Sequence, residues 1–186
     1  MGGVIFEDTR QQIHDGDKHK AKHEWWSAHG VEVVRTALET GDYMLPEVHG
    51  PQATVDTKRD VMEAAACVSG KGCRRFHEEC ARACRDHLKL YVVVENAEGV
   101  RDLDSMAKWV NSVHCRACSH RWHRRCNPHR AAGGCARRGG KRKPVQGPQV
   151  AKAMATLHEK YGTEFVFCKP SDAGRVVCEL LGMEVE

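Results

Sequence analysis

Asp42, Asp56 and Lys58 are the residues of this chain whose types and spacing most directly suggest chemistry. Side chains on a strand alternate between faces, so within Ala53-Thr54-Val55-Asp56-Thr57-Lys58 the Asp56 carboxylate and the Lys58 ammonium share a side. Thr57 points the other way. Gly41-Asp42 opens the preceding strand-like run, and a hairpin between the two runs brings Asp42 within reach of Asp56. Two carboxylates held together repel, and a divalent cation between them removes that cost. Hard oxygen ligands with room for water suit Mg²⁺, or Mn²⁺ in its place. Such an ion polarises a phosphoryl group and helps to generate hydroxide, while the lysine stabilises charge on the phosphate or positions the attacking water. Taken alone, two acids and a lysine also describe a solvated strand face.

A second constellation lies between residues 112 and 147. Cys115-Arg116-Ala117-Cys118 is a Cys-x₂-Cys knuckle, and Cys126-Asn127-Pro128-His129 follows as a Cys-x₂-His pair. Together they offer four tetrahedral ligands for a structural Zn²⁺, with Cys135 as a substitute fourth ligand. From Ser112 to Lys143 there is no acidic residue, while Arg121, Arg124, Arg125, Arg137, Arg138, Lys141, Arg142 and Lys143 build a positive field suited to phosphate backbones. Trp122 can stack on a base. A zinc module and a basic loop with incidental cysteines both remain open readings. The other cysteines, Cys67, Cys73, Cys80, Cys84, Cys168 and Cys178, fall in patterned segments and read as small hydrophobes.

The elements that must position these residues are legible in outline. Val4-Ile5-Phe6 reads as a buried strand, residues 18–29 as a helix stopping at Gly30, and Val31–Arg35, Tyr43–Leu45 and Ala53–Lys58 as three strands of an antiparallel meander. Helices are expected over Val61–Val68, Arg74–Leu88, Asp102–Val110 and Val150–Tyr161. A last helix, capped by Ser171-Asp172, ends at Leu181 before Gly182. Leu90–Val94 is a continuous β-branched run, as expected of a strand covered on both faces, and Phe165–Cys168 is a further short strand. The expected fold is therefore α/β, a mixed central sheet flanked by helices. It forms one domain, with a core from 1–111 and 148–186 and a basic Cys/His-rich insertion at 112–147. The 186 residues, 41% apolar and 29% charged with net charge +4, suit a globular domain. No run of about 18 apolar residues is present, which argues against a membrane partner. An acidic N-terminus without an apolar stretch leads to the expectation of a cytoplasmic protein.

The order of motifs resembles the XPF-type nuclease domain of the PD-(D/E)XK superfamily, in the compact form of phage and prophage members. The matching residues are Asp8-Thr9-Arg10, Gly41-Asp42-Tyr43, Asp56-Thr57-Lys58, Arg75-Phe76-His77-Glu78-Glu79-Cys80, Tyr91–Glu95, Thr156-Leu157-His158, Phe165–Ser171 and Glu179-Leu180-Leu181. The resemblance spans nearly the whole chain outside residues 112–147. It departs where Asp56-Thr57 replaces the usual Glu-Arg, and it leaves open whether Asp60 or Glu63 completes the acidic centre. It implies a restriction-endonuclease-like fold and a Mg²⁺-dependent DNA endonuclease acting on branched or flapped DNA in repair, recombination or phage DNA processing, and it raises a homodimer as a further expectation. Asp42 and Asp56 would be metal ligands, Lys58 the catalytic lysine and Asp8 a further acidic member. Arg10 and Arg75 would orient carboxylates or hold phosphate, and Glu79 would support the centre or simply pair with Arg75 one turn away. The rival classes are a non-catalytic DNA-binding module of the same fold and a zinc-stabilised nucleic-acid adaptor.

Overall fold

The computed structural model describes residues 3–11, 19–46, 52–69, 72–111, 114–115, 120–121 and 145–184. Its strands are β1 (Val4–Asp8), β2 (Glu32–Thr36), β3 (Tyr43–Met44), β4 (Ala53–Lys58), β5 (Lys89–Glu95), β6 (His114–Cys115), β7 (His120–Arg121) and β8 (Glu164–Cys168). Its helices are α1 (Lys20–Ala28), α2 (Val61–Ser69), α3 (Cys73–Arg85), α4 (Leu103–Lys108), α5 (Gly147–Tyr161) and α6 (Ala173–Leu181). Six strands form one mixed sheet in the order β2-β1-β3-β4-β5-β8, while β6 and β7 pair separately as an antiparallel ribbon. The α/β class is as expected.

The meander is only half formed. β3 and β4 make the hairpin, but β2 lies at the sheet edge, parallel to β1, and β1 stands between β2 and β3. The cause is α1. A helix between β1 and β2 makes their connection a crossover, and crossovers join parallel strands. β4, β5 and β8 are then parallel to one another.

Helices cover both faces. Leu90, Val92 and Val94 of β5 face Phe76 of α3, Met106 of α4 and Met154 and Leu157 of α5. On the other face, Ile5, Tyr43, Val55 and Val93 meet Trp26 of α1 and Val177 of α6. Alternate residues of β5 feed the two cores, which is why its sequence is apolar without interruption. Each large aliphatic or aromatic side chain withdrawn from water in this way contributes about 1.5–3 kcal/mol.

Parallel pairing puts the C-terminal ends of β4 and β5 at one edge of the sheet. α4 starts a few residues after β5, and α5 ends two residues before β8 begins, so the start of α5 lies back at that same edge. There the two ends of the 112–144 segment are fastened together. The Asn111 amide donates to Gln146 Oε1 at 3.2 Å, Asn111 Nδ2 to the Val145 carbonyl at 3.0 Å, and the Gly147 amide to the Trp109 carbonyl at 3.1 Å. Trp109 Nε1 in turn donates to Glu98 at 2.7 Å. A Cβ on Gly147 would sit 2.3 Å from the Met106 carbonyl, so the close crossing of α4 and α5 requires glycine. Gly147-Pro148 is thus the first turn of α5, ahead of the start expected at Val150. Proline is tolerated there because that turn has no carbonyl partner for its amides. No helix of the described residues is long and apolar enough to cross a membrane.

Candidate active site

Asp42 is set between two strands before β3 begins. Its amide donates to the Val55 carbonyl and its carbonyl accepts from the Asp8 amide, both at 2.8 Å. The preceding Gly41 has φ +76°, and a Cβ there would lie 2.1 Å from Thr54 Oγ1, so the turn accepts only glycine. Asp42 Oδ2 accepts hydrogen bonds from the amide and the hydroxyl of Thr57, each at 2.8 Å. Oδ1 takes no hydrogen bond from a described residue. Asp56 and Lys58 share the α2–α3 side of β4 and form an ion pair through Asp56 Oδ2. That oxygen is buried and has no well-aligned hydrogen bond. The Lys58 ammonium also lies 5.5 Å from the centre of the Phe76 ring.

These groups line a cleft of two lobes around the C-terminal end of β4. The larger, about 330 Å³, reaches towards α3 and includes Arg10, Asp42, Asp56, Lys58, Glu79 and Arg82. The smaller, about 190 Å³, reaches towards α1 and includes Lys22, Asp42, Thr57, Lys58, Arg59 and Glu95. Asp42, Asp56, Lys58, Glu63 and Arg75 belong to both.

Burial pushes the Asp56 carboxyl up, and the Asp42 and Glu79 charges push it further, while Lys58 opposes them. A lysine in direct contact keeps this carboxylate ionised only as one half of the pair. The Lys58 ammonium is held charged: burial disfavours it, but Asp56 more than compensates. Internal pairing accounts for most of the cleft's charge. Lys58 answers Asp56, Lys22 answers Glu95 and Arg59 answers Glu63. Asp42 and Glu79 have no cationic partner at ion-pair distance among the described residues. Asp42 is held by Thr57, and Glu79 accepts the Gly41 amide at 3.1 Å. Across the two lobes the acids Asp42, Asp56, Glu63, Glu79 and Glu95 face the bases Lys22, Lys58, Arg59, Arg75 and Arg82, while Arg10 is taken by Asp8. Arg75 makes no ion pair among the described residues, and Arg82 has only a 3.5 Å contact to the Glu39 carbonyl. Two guanidinium groups therefore face the cleft without carboxylate partners.

The sequence-expected residues divide. Asp42, Asp56, Lys58, Glu63, Arg10, Arg75 and Glu79 are brought together. Asp8 lines neither lobe. Its buried carboxylate accepts from the Arg10 amide at 2.7 Å and from the Arg10 guanidinium, which it steers towards the Leu38 carbonyl and the larger lobe. Asp60 Oδ1 accepts the Glu63 amide at 2.7 Å and caps α2, so Glu63 is the acid that faces the cleft. The Arg75–Glu79 pair is not formed. Cys118, Trp122, Arg124, Arg125, Cys126, His129, Cys135, Arg137, Arg138, Lys141, Arg142 and Lys143 lie outside the described residues. The backbones of Cys115 and Arg121 belong to β6 and β7. Sequence reasoning missed Lys22, Thr57, Cys67 and Arg82, and gave Glu95 no role. Lys22 had a signal: it precedes Trp26 by one helical turn, a lysine on the buried stripe of α1. Burial pushes the Cys67 thiol up, so it lines the cleft as a neutral group. The cysteines expected as small hydrophobes are unpaired, with Cys80 and Cys178 buried and Cys84 exposed.

Among the described residues no group of three or more His, Cys, Asp or Glu side chains is gathered as a metal cage. An Mg²⁺ ion does not need one. It keeps several waters and binds through one or two carboxylates together with substrate phosphate. The unaligned Asp56 Oδ2 and the open Asp42 Oδ1 fit that mode. No family model matches the chain, and no curated protein does.

Proposed function

We propose that this chain is a Mg²⁺-dependent endodeoxyribonuclease of the XPF type, with a restriction-endonuclease-like core. The observation that carries the reading is the cleft in which Asp42, Asp56 and Lys58 converge opposite two guanidinium groups without carboxylate partners. Asp42 and Asp56 would hold the ion, which when bound supplies a Lewis acid and a more acidic water. Thr57 fixes the Asp42 carboxylate, and Gly41 allows the turn that delivers it. Lys58, charged and largely desolvated, faces the phosphate oxygens on which charge develops. Arg75 and Arg82 take the substrate phosphates, and Asp8 orients Arg10 towards the same lobe. A cleft that passes from one face of the sheet to the other around the end of β4 suits a continuous strand, which favours internal cutting. The basic residues 112–143 supply further attraction to DNA. Branched or flapped substrates, a homodimer and a cytoplasmic setting follow from the resemblance and composition.

Labelled flap, fork and duplex DNA incubated with Mg²⁺ or Mn²⁺ tests the reading. Asp42→Ala, Asp56→Ala and Lys58→Ala are expected to abolish cleavage while DNA binding persists. Undiminished cleavage by Asp56→Ala would overturn the mechanism.

A further inference from the structure

The proposed hydrolysis needs the Asp42 carboxylate at one place in the cleft, and the backbone that delivers it is bonded from two sides. Thr54 of β4 supports it from within the hairpin, its hydroxyl 2.9 Å from the Thr40 carbonyl and 3.2 Å from the Tyr43 carbonyl. From the other side comes Glu79 of α3, whose Oε1 accepts the Gly41 amide across 38 positions of sequence. Gly41 is buried, and its φ of +76° turns the chain into Asp42. A buried amide needs an acceptor, and a carboxylate is a strong one. Glu79 is an acceptor placed where the turn needs it, but its charge is a cost to the centre, since it adds to the burial that disfavours ionisation of Asp56. The same helix reaches the other half of the site: the Phe76 ring, three residues before Glu79, faces the Lys58 ammonium at 5.5 Å. Residues three and four apart share a helix face, so Arg75, Glu79 and Arg82 follow one stripe of α3, and all three line the larger lobe.

We propose that Glu79 is a positioning residue for Asp42: by holding the Gly41 amide it fixes the turn against α3 and sets where the Asp42 carboxylate stands in the cleft. The inference rests on the nuclease reading. Thr57 sets the direction of that carboxylate, and Glu79 the place of the backbone that bears it. Arg75 and Arg82 flank Glu79 on the same helix, so the contacts to substrate phosphate and the seat of the metal-binding acid are referred to one rigid element. Such placement matters because a shift of about 1 Å at a reacting centre can cost about 100-fold in rate. Glu79 acts through Gly41 and is not itself an ion ligand or a catalytic residue.

The test compares Glu79→Ala with Glu79→Gln in the full chain. Both remove the same charge, but only alanine removes the acceptor, so the difference between them reads the hydrogen bond alone. Alanine is a good helix former, which favours a folded variant. Mn²⁺ affinity is measured by calorimetry, with Mn²⁺ chosen because it prefers carboxylate oxygen to the chain's thiols. Glu79→Ala is expected to weaken Mn²⁺ binding or cleavage by about 10- to 100-fold, as for other groups that orient a metal ligand, with Glu79→Gln restoring most of the loss. The affinity for DNA without metal should change equally in the two. Hydrogen exchange at the Gly41 amide gives a check that needs neither ion nor alanine variant: slow exchange is expected in wild type and in Glu79→Gln. Equal behaviour of Glu79→Ala and Glu79→Gln, whether both keep the ion or both lose it, would overturn the inference, as would a freely exchanging Gly41 amide in wild type. Either result leaves the nuclease reading intact. That reading itself sinks if wild type cuts no DNA, or if Asp42→Ala binds Mn²⁺ as wild type does.

Discussion

Glu7 and Asp8 are neighbours on β1, yet their side chains leave on opposite faces of the sheet and find different partners. Glu7 Oε1 is 2.9 Å from His23 Nε2 of α1, and Arg35 of β2 stands 3.6 Å from its other oxygen. Burial opposes ionisation of Glu7, but His23, Tyr43 and Arg35 outweigh it and hold the carboxyl below its ordinary 4.5. Asp8 is likewise lowered, burial being outweighed by Arg10. A carboxyl whose folded value is depressed adds stability above its unfolded value and loses it as pH falls through the folded one. Glu7→Gln is therefore expected to cost about 1.5–3 kcal/mol near neutral pH, as for a hydrogen bond to a charged group. In thermal melts from pH 7 to pH 3, the gap between variant and wild type should begin to close below about pH 4.5. A gap that stays constant across that range would show that the interactions do not depend on charge.

At the scale of elements, the hairpin was readable because its chemistry is local: a glycine before an acid, then strict alternation along Ala53–Lys58. The neighbour of β2 was not. Residues 31–58 read as three strands in sequence, and nothing local says that β1, far upstream, will slot between the first two. Lys22 was hidden for a related reason: its partner is 73 positions away on β5. The start of α5 was misplaced because Gly147-Pro148 carries turn chemistry that is also the chemistry of a first helical turn. The same junction yields a prediction. Since residues 109–111 and 145–147 are bonded to each other, replacing 112–144 with a short Gly/Ser connection should leave the core folded, because loop-closure entropy changes only slowly with loop length. Circular dichroism and a melting temperature within a few degrees of wild type are expected, alongside weaker DNA binding. A molten product would show that the segment is part of the core.

For the molecule as a whole, net charge says little and its placement says more. A surplus of +4 is spread over a chain whose cleft gathers acids and bases in like number and whose 112–143 segment is wholly basic. Arg75 and Arg82 of α3 are the bases of the larger lobe that no carboxylate pairs with. Arg75→Ala and Arg82→Ala are each expected to weaken DNA binding across all sequences. Every phosphate that a variant no longer neutralises should lower the slope of log affinity against log salt by about 0.9 for duplex, or about 0.7 for single strands. An unchanged slope in a titration over salt concentration would place those side chains away from phosphate.

The seating of α1 has a consequence for how the protein comes into being during synthesis. Trp26 Nε1 donates to the Gly174 carbonyl at 3.0 Å, and a Cβ on Gly174 would press on Trp25 at 3.0 Å, so the helix that carries Lys22 leans on α6. Every residue assigned to the cleft has been synthesised by position 95, but the support for its α1 wall is made roughly 80 residues later, some 8 seconds at about 10 residues per second. A nascent chain thus carries its acids and lysines early and completes the cleft late, so the activity proposed for the cleft should wait for α6.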